Sequence, residues 1–138
     1  MNRQLLICFL VIIGCVVMTT FGRSNSEHRI AIGPWGGTGV HLEVDEKSAR
    51  VEFDCAHGTM QGPLDLDSKG EFKLKGTFTA ERGGPIRNDQ ESSGSAAIYS
   101  GSINGETMKL EIRIEGQDQP LNSYVLTQGK SGRLRKCL

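Results

Sequence analysis

Between Val40 and Leu126 the apolar residues recur at every second position, a period that suits an extended chain with one buried and one solvated face and does not suit a helix. Val40, Leu42 and Val44 alternate with His41, Glu43 and Asp45. After a polar turn at Glu46-Lys47-Ser48, Ala49, Val51, Phe53 and Cys55 alternate with Arg50, Glu52 and Asp54, which predicts a hairpin with Cys55 on its buried side. Leu64 and Leu66 predict a short strand opened by Pro63. Phe72, Leu74, Gly76, Phe78 and Ala80 predict a long one, with Gly76 as a bend or bulge. Ala97, Tyr99, Gly101 and Ile103 lead into Asn104-Gly105, the signal of a type I′ hairpin, and Met108, Leu110, Ile112 and Ile114 return. Tyr124 to Thr127 forms a further strand, and Gly129 to Gly132 turns the chain into a last one, Arg133 to Cys137. The pattern is all-β, with about eight antiparallel strands and no helix. An open meander would leave exposed edges, so a small up-and-down barrel is expected.

The N-terminus follows a different logic. Met1 to Gln4 carries one positive charge, Leu5 to Gly22 carries none, and Arg23-Ser24-Asn25-Ser26-Glu27 turns polar. This is the pattern of an export signal over residues 1–22, ahead of a single domain over residues 23–138. Cleavage after Gly22, with Thr20 and Gly22 as small flanking residues, predicts a secreted or periplasmic protein. Ile12-Ile13-Gly14-Cys15 is similar to the site at which bacterial lipoproteins are cut and acylated, which would make Cys15 a lipidated N-terminus. The apolar run is also long enough to remain as a membrane anchor.

Removing Arg3 with the leader from 16 basic and 16 acidic residues leaves one net negative charge. So even a balance offers no field for polyanions, and general nucleic-acid binding is not expected. Cys8 and Cys15 fall in the leader, leaving Cys55 and Cys137 in the domain. Two cysteines in an oxidising compartment most simply pair. The bond would close a loop of about eighty residues and, on the chain-entropy argument, stabilise the fold by roughly 4 kcal/mol.

Gly33-Pro34-Trp35 resembles the Gly-x-Trp near the first strand of lipocalin and avidin (calycin) barrels. That resemblance implies that a basic residue of the last strand, Arg133 or Arg135, lies over the indole. The other loop motifs of lipocalins are absent. Longer pieces resemble a group of uncharacterised exported bacterial proteins: Gly33-Pro34-Trp35-Gly36-Gly37, Val51 to Gly58, Pro63 to Asp67, Glu81 to Pro85 and Arg133 to Leu138. This likeness covers nearly all of the domain and implies a domain type without a chemistry.

Candidate site residues are few. Asp54-Cys55-Ala56-His57-Gly58 is the densest polar cluster. A metal reading would enlist His41, Asp54 and His57, but no second Cys or His pair stands at ligand spacing, so neither metal nor cofactor is expected. His57 is the one plausible general base, without a Gly-x-Ser-x-Gly elbow to serve. The plainer reading is a strand entering a tight turn, with its Cys in a disulfide. Lone Trp35 among glycines is either an aromatic wall for a ligand or a plug at one barrel end. Residues 82–95, rich in Gly, Pro, Asn and Ser, are either a binding loop or a solvated one. Lys130, Arg133, Arg135 and Lys136 either face an anionic partner or guard an edge strand.

The expectation is therefore a non-enzymatic binding module whose mouth lies between the Trp35 region and the 82–95 loop. Trp35, His57, Arg87 and Tyr99 are its candidate contacts, and its partner is a small apolar ligand or an envelope protein. The alternatives are an inhibitor of an exported hydrolase or an envelope assembly factor, and last an enzyme using His57.

Overall fold

The computed structural model describes residues 28–82 and 94–137. The signal segment, Cys15 and Arg87 lie outside the described residues.

Eight strands follow in order: β1 (Gly33–Gly37), β2 (Val40–Val44), β3 (Ser48–Phe53), β4 (Ala56–Gln61), β5 (Glu71–Ala80), β6 (Ser95–Asn104), β7 (Thr107–Ile114) and β8 (Asn122–Gln128). Each pairs antiparallel with its neighbours in sequence, and β8 returns to β1, so the sheet closes into a barrel. Closure removes the free edges that a meander of these strands would expose.

The number of strands agrees with the alternation, but their membership does not. Leu64 and Leu66 sit in no strand. Asp65 makes a single bridge to Arg29, and Leu64 is fully buried. Arg133 to Cys137 is not a strand either, because only Arg133 bridges, to Thr38. In their places stand β1 and β4. The inward positions of β4 are Ala56, Gly58 and Met60, two of them too small to mark a hydrophobic period. At Gly58 the missing side chain is supplied by Tyr99, since a Cβ there would overlap the Tyr99 hydroxyl and the Thr77 carbonyl.

Cys55 is exposed, not buried. Phe53 pairs with Ala56, so Asp54 and Cys55 are the two turn residues of the β3–β4 hairpin and the alternation ends one step short of the cysteine. The β6–β7 turn is likewise displaced by one residue. Asn104 pairs with Thr107, the loop is Gly105-Glu106, and only Gly105 has a positive φ, of 60°. Glycine at the first of two loop positions suits a type II′ turn rather than the expected I′. Gly76 pairs with Met60 in unbroken register, so it is no bulge; it admits close approach of the β4 backbone.

The inward side chains form one core. At the end where β1 begins, residues 28–32 pair with the β4–β5 connection: Ile30 N–H donates to Leu64 O at 2.9 Å and Leu66 N–H to His28 O at 2.7 Å. Ile30 and Leu64 are buried there and plug the barrel. The turn at Asp54-Cys55, the end of β5, the start of β6 and the β7–β8 connection gather at the opposite, loop end. Strands in a closed barrel tilt by about 35–45° to its axis, so a row of paired residues climbs as it goes round. The row from Trp35 through Leu42, Val51 and Gly58 to Phe78 thus joins the plug end to the loop end.

Candidate binding site at the loop end

Three aromatic side chains meet inside the loop end. Phe53 is the last residue of β3, Phe78 stands two residues before the end of β5, and Tyr124 faces inward from the start of β8. Phe53 is buried, and its ring stacks on Tyr124 with centroids 5.1 Å apart. It also packs against Phe78, tilted by 45° at 5.9 Å. Phe78, Tyr124 and Ile114 remain only half-buried, and Leu121, one residue before β8, is 48% exposed. The Tyr124 hydroxyl accepts a hydrogen bond from Asn122 Nδ2 at 2.9 Å. Burial, and after it the nearby negative charge of Asp54, pushes the Tyr124 phenol above its ordinary range, against the opposing Asn122 bond. The phenol therefore stays protonated and keeps a proton to donate. The result is an apolar, aromatic rim with a hydroxyl, an amide and a carboxylate beside it.

Of the four residues singled out from the sequence, the three among the described residues do not converge. Trp35 is buried toward the plug end, where its indole N–H donates to Ala31 O at 3.0 Å. Neither basic residue proposed to cover it belongs to a strand. Arg133 meets β1 through its backbone, its N–H donating to Gly37 O at 2.9 Å, and both Arg133 and Arg135 are exposed. Tyr99 is fully buried, and its hydroxyl donates to Thr77 O at 2.7 Å. Burial drives its phenol far above the ordinary range, so it remains a neutral donor inside the barrel. Arg87 is outside the described residues.

His57 projects from the outer wall, half-exposed, with Nδ1 2.9 Å from Glu81 Oε1. A carboxylate only accepts, so Nδ1 carries the proton. The His57 bond is the first cause of a Glu81 pKa below its usual value, and Lys136, at 3.6 Å, adds to it. Among the described residues no group of three or more His, Cys, Asp and Glu is placed to hold a metal ion.

Two depressions mark the outer wall. One of about 730 Å³ lies between Asp65-Leu66-Asp67 and the β5–β6 surface. The other, of about 290 Å³, crosses β6, β7 and β8. Neither takes in Trp35, His57 or Tyr99.

Cys55 and Cys137, 82 positions apart, form a disulfide with Cα atoms separated by 5.2 Å, as expected from the cysteine count. It ties the C-terminal segment to the β3–β4 turn, beside the rim.

No protein-family model, curated protein or solved structure matches this chain. What stands is the class: a disulfide-bonded, eight-stranded antiparallel closed barrel, compatible with a calycin-like architecture.

Sequence reasoning missed the rim. Phe53, Phe78 and Tyr124 read as ordinary inward positions of three separate strands. Their one distinguishing signal is nearness to a strand end at the loop end of the barrel, and it applies only once the ends are known.

Proposed function

We propose that the protein is an exported, non-enzymatic binding module that receives a small apolar ligand at its loop end. The observation that carries this reading is the half-buried cluster of Phe53, Phe78 and Tyr124 at that end, with Leu121 and Ile114 beside it. Elsewhere the inward side chains are closely packed. Eight-stranded barrels of this size are just wide enough for their own side chains, and here the buried Tyr99 reaches past β5 to fill the space left by Gly58. The ligand therefore rests on the rim instead of passing into the barrel. The aromatic faces supply contact area and the Tyr124 hydroxyl and Asn122 supply orientation, the usual division of labour in small-molecule sites. Export is supported by the disulfide, which persists in oxidising compartments. The non-enzymatic reading is favoured by the half-exposed setting of His57, which lies outside both depressions found among the described residues.

The test is titration with dodecanoate, a simple apolar chain, followed by NMR. Aromatic resonances of Phe78 and Tyr124 should move while those of Trp35 do not, and Phe78→Ser should weaken binding at least tenfold. Uniform shifts over the outer wall, or none at the rim, would reject the assignment.

A further inference from the structure

The C-terminal segment after β8 lies across the outside of the barrel as a strap. A Cβ on Gly36 would overlap the backbone of Lys130, Ser131 and Gly132, and one on Gly132 would overlap Val40 O. The strap thus runs in direct backbone contact with β1 and β2. Gly132 N–H donates to His41 Nδ1 at 3.1 Å. Arg133 pairs on both sides, its N–H with Gly37 O and its carbonyl with Gly39 N–H at 2.8 Å. Arg135 N–H donates to the Asp54 carboxylate at 2.6 Å, and Cys137 N–H to Asp54 O at 3.2 Å. Lys136 Nζ stands 3.7 Å from Glu52 and 3.6 Å from Glu81. Lys136 Nζ also donates to Phe53 O at 3.5 Å, and the Cys55–Cys137 bond ties the end of the strap to the β3–β4 turn, with both cysteines exposed.

The strap contributes nothing to the core, whose last residue is Leu126. Nor is it needed for closure, because β8 pairs directly with β1 through Trp35↔Gln128 and Gly36↔Thr127. An exposed bond that fastens a peripheral segment can be opened without opening the barrel. Buried structural disulfides are the reverse case, being shielded from an attacking thiolate.

We infer that Cys55–Cys137 is a site of thiol–disulfide exchange with a dithiol partner, and that its reduction releases the strap from the barrel wall. One thiolate of the partner attacks a sulfur of the pair. The Cys55–Cys137 bond breaks, a mixed disulfide forms, and the other cysteine leaves as a thiolate. The partner's second thiolate then displaces the remaining protein sulfur. Two electrons pass to the barrel, both of its cysteines end as thiols after taking up protons, and the partner ends as a disulfide. Release frees Asp54, Glu52 and Glu81 from their strap partners and bares β1 and β2 around Gly36 and His41. Because Asp54 borders Tyr124, the redox state reaches the loop end, although the exchange itself does not depend on the rim being a binding site.

The experiment treats the folded protein with dithiothreitol under native conditions and follows three signals. These are alkylation of the two cysteines by mass, fluorescence of the single Trp, and the rate of tryptic cleavage after Arg133 and Arg135. Both cysteines should become alkylated while Trp35 keeps its buried emission, and cleavage in the strap should rise about tenfold or more as that segment opens locally. A Cys55→Ser/Cys137→Ser double variant should show the fast cleavage without reductant. Reduction that occurs only once the Trp35 signal is lost, a Trp35 signal that collapses on reduction, or an unchanged cleavage rate after reduction would each overturn the inference.

Discussion

Replacing Gly58 with alanine puts a methyl group into space already held by the Tyr99 hydroxyl on one side and the Thr77 carbonyl on the other. The Thr77 carbonyl is backbone, in a strand paired on both sides, and cannot withdraw. Tyr99 can withdraw only by giving up its 2.7 Å bond to Thr77 O inside the barrel. Overpacking of this kind costs about 1–3 kcal/mol, and the rigidity of both neighbours places Gly58→Ala toward the upper end. Tyr99→Phe alone removes one hydrogen bond at a net cost of about 1 kcal/mol. It also removes the atom that a Cβ at Gly58 meets first, leaving the overlap with the Thr77 carbonyl and, at 3.2 Å, the ring carbon Cζ. The double variant should therefore cost no more than Gly58→Ala by itself. The two changes couple by about 1 kcal/mol, well outside the roughly 0.3–0.5 kcal/mol within which independent sites add. Urea unfolding monitored through the single Trp, buried at 1% exposure, measures all four corners of the cycle. Costs that simply sum, or a Gly58→Ala variant as stable as the parent, would mean that Tyr99 does not occupy the space opened by Gly58.

Leu64→Ala should cost about 2–4 kcal/mol in the same assay although Leu64 belongs to no strand, because it is fully buried in the plug and leaves a cavity when truncated; a loss under about 0.5 kcal/mol, the range of a surface site, would show the plug to be loose. Glu81 should titrate below its reference value of 4.5, as followed by carboxyl NMR, and return toward it in His57→Ala, since the His57 bond is the first cause of the shift. Its pKa is lowered on folding, so its contribution to stability is present above the unfolded value and is lost as the pH falls through the folded one. Glu81→Gln should flatten that acid limb, and an acid limb identical to the parent's would remove Glu81 as its source.

The strands that the alternation located are those with bulky side chains at their inward positions: Val40, Leu42 and Val44 in β2, or Met108, Leu110 and Ile112 in β7. It failed where the inward positions are small. Ala56 and Gly58 in β4 bury no large side chain of their own, and at Gly58 it is Tyr99 that fills the space, a neighbour's reach of which a one-dimensional pattern carries no sign. The false strands have the opposite cause. Leu64 and Leu66 alternate because Leu64 plugs the barrel and Leu66 packs beside it, a need for burial at the closed end that mimics a sheet face. The disulfide was legible for a simpler reason: outside the apolar N-terminal run only two cysteines remain.

The rim was hidden for a reason that belongs to closed barrels in general. Whether an inward residue lies at the plug, the middle or the loop end depends on its height along the barrel axis, and that height is set by the stagger summed over all eight pairings. Trp35 and Phe78 share one row of paired residues, yet the tilt carries the first toward the plug and the second toward the loops. No strand read alone distinguishes them. The same geometry explains why the most conspicuous aromatic residue of the sequence is a poor guide to the aromatic rim. Trp35 begins the row and is committed to closing the barrel, where its indole N–H is satisfied by Ala31 O. Phe78 ends the row where the strands run out, and among the described residues no further layer of side chains completes its burial. Half-exposed aromatic surface is costly to leave in water unless something covers it, and at the loop end the strands themselves have nothing left to offer. Under the function proposed above, a ligand of matching apolar character would supply the missing layer.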